Sequence, residues 1–198
     1  NIALVYLHGF NKPNRALKKI KYIYEHRSGI DQTSHHILAL NLASIYIKIK
    51  KYDKAYHLLQ KCKKHFIQNK ETLPSRLVTT YTNYGEYYYH KRNYGKAIQH
   101  YELAAALAEE NHLFRKAMVI YKKYEDLLVK IGEKGKAYII LKKYTKHHQI
   151  ALETEKTEAD KYKEQLIISE QKTTIETKKA EKSKNISIFT LALLLLCL

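Results

Sequence analysis

The chain has 198 residues, 45% of them hydrophobic, with only 6 Gly and 2 Pro, which favours helices over sheet and leaves room for one domain and an extension. Lys and Arg outnumber Asp and Glu 36 to 19, and because residues 151–185 hold eight Lys against eight acids, the excess of +17 lies in the first 150 residues, a field that attracts nucleic acid, anionic lipid or an acidic protein segment. The two cysteines exclude a disulfide framework, since Cys62 stands at a small, buried repeat position and Cys197 inside an apolar tail.

The chain opens at Asn1 without a methionine or a recognisable signal segment and reads as an excised piece. Ala16, Ile20 and Ile23 follow a turn containing Gly9 and Pro13, so the chain is expected to start inside the first helix of a partial repeat. Ala39, Leu42, Ala43 and Tyr46 keep the 3/4 spacing of one helical face, as do Ala55, Leu58, Leu59 and Cys62. Lys50, Lys51 and Tyr52 leave room between them for a tight turn only.

The same pairing recurs as residues 74–91 with 94–110, then 112–130 with 134 onward; Pro74 and Ser75 suit a helix start and Gly132 a helix end. Leu42, Ala43, Tyr46, Tyr52, Ala55, Leu59 and Cys62 return as Tyr84, Gly85, Tyr88, Tyr94, Ala97, Tyr101 and Ala104, and again as Tyr124, Glu125, Leu128, Lys134, Ala137, Leu141 and Tyr144. Shared steps of 42 and then 40 residues describe stacked helical hairpins rather than one closed core. Small residues at Ala43, Gly85, Ala55, Ala97 and Ala137 let paired helices approach. Glu125 breaks that rule, so its helix is expected to cross less tightly or to turn the carboxylate to solvent.

Beyond Lys136 no Gly or Pro interrupts the chain, and one helix is expected to run on. Leu152, Ala159 and Leu166 are seven apart, but Thr173 follows and the coiled-coil stripe fails; a solvated charged helix and a weak dimeric coil in 151–185 both fit. Residues 186–198 carry no charge and span about 20 Å against a hydrocarbon core of about 30 Å, the expected start of a transmembrane helix. Lys178, Lys179, Lys182 and Lys184 flank it, a weak vote for a cytoplasmic amino side.

Leu42-Ala43, Tyr46, Tyr52-Asp53-Lys54-Ala55, Leu59 and Cys62, with Tyr84-Gly85, Tyr88, Asn93-Tyr94-Gly95-Lys96-Ala97, Tyr101 and Ala104, resemble the tetratricopeptide repeat; the third copy resembles it less. The resemblance covers about residues 1–145 and implies an all-α superhelical solenoid over 1–150. The order of repeats, polar helix and apolar run resembles the sensor region of membrane-bound tetratricopeptide histidine kinases and helix-turn-helix regulators common in the Bacteroidetes. That implies a single-pass inner-membrane protein whose output module follows the chain, with peptide binding biasing the long helix. A membrane-tethered scaffold without output is the alternative, and a nucleic-acid binder a more distant one.

In such repeats the first helices line a groove for protein or peptide ligands. Asn41 and Asn83 stand two residues before Ala43 and Gly85, where an amide reaches a peptide backbone with both donor and acceptor. With Ser44, Glu86, His90, Lys122, Lys123, Asp126 and Lys130 they make a polar, net basic groove, weighed against an ordinary solvated helix face. The family's carboxylate clamp wants Lys and Asn where this chain has Leu40 and Ser44, so that activity is not supported. Most of the 18 tyrosines fall on core positions, which leaves a base-stacking platform disfavoured. His35-His36 and His147-His148 diverge by about 100 degrees on a helix and cannot pinch one ion. No phosphate loop, nucleophile elbow, Cys-x-x-Cys or His-Glu-x-x-His appears, so no catalytic residue, metal or cofactor is assigned.

Overall fold

The computed structural model describes residues 13–26 and 29–196, with side chains through residue 182. Among the described residues there are seven helices and no strand: α1 (Pro13–His26), α2 (Gln32–Lys48), α3 (Tyr52–Gln68), α4 (Pro74–His90), α5 (Tyr94–Glu110), α6 (Phe114–Lys130) and α7 (Lys134–Leu196). First helices start at 32, 74 and 114 and second helices at 52, 94 and 134, which are the steps of 42 and 40 read from the sequence. The expected partial repeat before Pro13 lies outside the described residues.

The chain divides into two units, Asn1–Ile150 and Ala151–Leu198. In the first, each helix packs against its neighbours in sequence, and the first helices α2, α4 and α6 also touch along one face. One apolar cluster joins α1 to α4 through Ile20, Leu40, Ile45, Leu59 and Phe66. A second joins α4 to α7 through Val78, Tyr101, Ile120, Leu127 and Leu128. Burying each such side chain contributes about 1.5–3 kcal/mol, which is why the 3.6-residue spacing dictates the stack.

The hairpin turns share one geometry. Lys51 N–H bonds Tyr46 C=O at 2.8 Å, Asn93 bonds Tyr88 at 2.9 Å and Glu133 bonds Leu128 at 2.9 Å, each closing a left-handed helix end. Leu113 closes the link from α5 to α6 the same way onto Ala108, at 2.8 Å, so α6 begins at Phe114, two residues later than its sequence spacing suggested. The left-handed residue is Gly132 (φ 83) in the third hairpin but Lys50 (φ 61), Arg92 (φ 57) and His112 (φ 53) elsewhere. Pro74 occupies the first turn of α4, as its fixed φ allows.

The small positions have their steric reason. A Cβ on Gly85 would lie 2.5 Å from Cε1 of Tyr101, whose ring is 2% exposed. At the matching position, Glu125 keeps a side chain 14% exposed and accepts a bond from Lys122 Nζ at 2.8 Å, so its carboxylate is paired rather than turned out. Leu141, the counterpart of Tyr101, is 40% exposed.

The second unit is helical through Leu196, and Leu152, Tyr162, Leu166, Ile167, Ile168 and Ile175 are exposed along it. Among the described residues no helix is long and apolar enough to cross a membrane. The expected transmembrane helix is therefore not found: the uncharged helical stretch 186–196 rises only about 16 Å at 1.5 Å per residue, and residues 197–198 lie outside the described part.

Candidate functional site: the face of the first helices

Residues three and four apart on α2, α4 and α6 project from the same face, so the repeat places like positions side by side. Adjacent helices are stitched there by a ladder. Asn83 Nδ2 donates to Ser44 Oγ at 2.7 Å, Lys116 Nζ donates to Thr79 Oγ1 at 2.8 Å, and Lys123 pairs with Glu86. In each case a residue bonds the position three further along the preceding first helix.

The candidate groove residues thus divide. Asn41 and Asn83 are buried, 7% and 6% exposed; Asn83 is spent on Ser44, and Asn41 Nδ2 has no hydrogen-bond partner among the described residues. Neither is a solvated helix face, and one of the two Asn83 amide N–H groups is committed to Ser44. Lys122 lies apart from the cleft, exposed, holding Glu125 and Asp126 at 2.8 and 2.9 Å, and those carboxylates raise its pKa. Lys130 stands 4.4 Å over the ring of Tyr89 and donates to its hydroxyl at 3.2 Å.

Glu86, His90, Lys123 and Asp126 do converge, with Ile47, Lys48, Tyr89 and Tyr101, around a cleft of about 290 Å³. His90 stacks on Tyr52 at 5.5 Å, and burial, aided by Lys130, Lys123 and Lys50 against the opposing Glu86, lowers its pKa, so it enters the cleft as a neutral imidazole at pH 7. The cleft offers donors from Lys48 and Lys123, acceptors from Glu86 and Asp126 and an apolar floor from Ile47 and Tyr101. That mixture supplies no nucleophile paired with its base. Among the described residues no cluster of three His, Cys, Asp or Glu is placed to hold a metal.

Residues 35–110 match the family model for the tetratricopeptide repeat. That stretch carries tetratricopeptide repeats. The matched stretch covers the hairpins α2–α3 and α4–α5, the two whose residues carry the resemblance most fully. No curated protein matches the chain. Tetratricopeptide repeats generally mediate protein–protein interaction. Sequence reasoning missed Ile47, Lys48, Tyr89 and Tyr101. The register held the signal for two of them: Lys48 is the repeat counterpart of His90 and Lys130, and Ile47 that of Tyr89.

Four other tyrosines pack away from the cleft lining, where α4 meets α3 and α5. His100 of α5 lies nearly parallel to Tyr84 and Tyr88, with ring centroids 5.0 and 5.4 Å away, and Tyr56 stacks on Tyr87 at 5.0 Å. Burial, with Lys63 and Lys96 nearby, pushes the His100 pKa down to about 4. These rings fill space between α4 and the second helices α3 and α5.

Proposed function

We propose that the cleft between α2, α4 and α6 binds an extended peptide segment of a partner protein. The observation that carries this reading is the convergence of three first helices on one concavity lined by Lys48, Glu86, His90, Lys123 and Asp126. Asn83 and Ser44 then join α4 to α2 outside the cleft lining and set the spacing of the helices. Peptides selected for binding the whole chain from a displayed random library test it. Lys48→Glu and Asp126→Lys are expected to weaken the selected peptides at least about tenfold, while Lys61→Glu on the second-helix face leaves them unchanged. Equal binding by all three variants contradicts the reading.

A second reading, favoured by the uncharged run 186–196 and the lysines before it, makes the chain a membrane-held interaction or sensor region. The Bacteroidetes resemblance suggests the sensor form, and a scaffold without signalling output is its rival. Sedimentation of the whole chain with cell membranes after carbonate washing is the expected result; release into the supernatant contradicts membrane insertion.

A further inference from the structure

We infer that the edge of the repeat unit formed by its within-hairpin turns is a docking surface for an anionic lipid surface, bordering the peptide cleft and sharing Lys48 with it but independent of peptide binding. Helices alternate in direction, so the turns joining α2 to α3, α4 to α5 and α6 to α7 share one edge. Residues 48–54, 90–96 and 130–136, running from the end of each first helix into the second, contain ten Lys or Arg and two acids. All ten cations are exposed. The two described turns of the opposite edge, residues 68–76 and 110–116, hold four cations and two acids.

Two features of this edge run against local stability. The tips Lys50 and Arg92 sit in the left-handed region, φ 61 and 57, where the third hairpin uses Gly132 at the same repeat position. A glycine would remove that strain, yet two turns keep a cation there. In addition Arg15, Lys54, Lys96 and Lys136 recur at the third residue of every second helix, where the helix dipole favours an acid. Among the described residues only Lys136 of the ten edge cations has a carboxylate partner, Glu133 at 3.2 Å. The cations are thus held out at some cost and left largely without internal partners.

The composition of the edge selects the partner. Nine of its ten cations are Lys and one is Arg, so it lacks the planar forks that read bases or grip single phosphates bidentately. Lysines on flexible stems suit a diffuse anionic sheet. Tyr52, Tyr89 and Tyr94 stand half-buried among them, and Tyr138, one turn beyond Lys134, is 59% exposed; such amphipathic rings settle at headgroup level. Each Lys or Arg at an anionic membrane surface strengthens binding about fivefold at moderate salt.

The test is sedimentation of the whole chain with vesicles of phosphatidylcholine alone and of phosphatidylcholine with phosphatidylserine at about 3:1, a composition whose surface potential attracts polybasic segments. Binding is expected to be stronger to the anionic vesicles and to fall as salt rises. Lys50→Gly with Arg92→Gly is expected to melt at or above the wild-type temperature yet lose about 25-fold of the anionic increment. Lys54→Gln with Lys96→Gln gives a second variant with the same expected loss. The apolar tail is identical throughout, so only the difference between the vesicle types is read. Equal binding to both vesicles, or an undiminished increment in both variants, overturns the inference. Binding to oligothymidylate with no anionic increment on vesicles assigns the edge to nucleic acid and also overturns it.

Discussion

The second and third hairpins are one backbone built from two chemistries. Where α4 and α5 meet, Gly85 lies flat on a buried Tyr101; where α6 and α7 meet, Glu125 stands opposite a Leu141 that is 40% exposed. Along the face of the first helices, α4 reaches α2 through the buried neutral bond Asn83–Ser44, whereas α6 reaches α4 through the half-exposed ion pair Lys123–Glu86. The fold therefore tolerates either filling, but specificity of packing is concentrated in the second hairpin. The third adds to its apolar cluster an ion pair that water and salt weaken.

Breaking that comparison most sharply is Gly85→Ala. Its new Cβ meets a ring with nowhere to move, and a loss of about 1–3 kcal/mol in denaturant unfolding is expected, against less than about 0.5 kcal/mol for Glu125→Ala. Tyr101→Leu in the Gly85→Ala background should recover part of the loss. If Gly85→Ala is neutral, the close approach is not what positions α5.

The ladder gives the next effect. Asn83→Ala removes a buried amide and its bond to Ser44, an expected cost of about 1–2 kcal/mol that does not depend on salt. Lys123→Ala should cost about 0.5 kcal/mol at low ionic strength and nothing measurable at high salt. Urea melts at two salt concentrations separate them, and an equal salt response for both would erase the distinction.

A smaller effect belongs to the tyrosine layer of the second hairpin and sharpens the comparison through pH. His100 titrates near 4 when folded and near 6.5 when unfolded, so the unfolded chain binds its proton first as pH falls. Stability is fully present above about pH 6.5 and is lost between there and about pH 4. Because the imidazole is only half-buried, the loss is discounted for solvent to on the order of 1 kcal/mol. His100→Phe should flatten thermal melts across that window. Glu109, at the end of α5 where it meets the third hairpin, acts lower. Burial alone would raise its pKa, but bonds from His147 and Tyr121 at 2.8 Å outweigh it, so its contribution is lost only below the usual carboxylate range.

The repeat phase was legible because burial imposes a 3.6-residue period that Ala, Tyr and Leu at fixed positions cannot hide; Gly85 and Ala97 announced close helices before any coordinates. The groove was half legible. Register identified Glu86, His90, Lys123 and Asp126, but one sequence cannot reveal that Asn83 and Lys123 reach across to Ser44 and Glu86, because that pairing depends on the stagger of neighbouring helices. Lys122 illustrates the same limit, since one step of 100 degrees carries it from the cleft to a local pair with Glu125 and Asp126. The strain at Lys50 and Arg92 was equally silent, as any glycine-free turn reads the same until its φ is known.

The most direct measurement of the account is amide hydrogen exchange of the whole chain with and without a peptide selected for binding. Protection is expected at residues 47–48, 86–90 and 123–126, where three first helices meet around the cleft, with residues 56–63 and 98–105 of the second helices unchanged. Protection confined to those second-helix residues would contradict it.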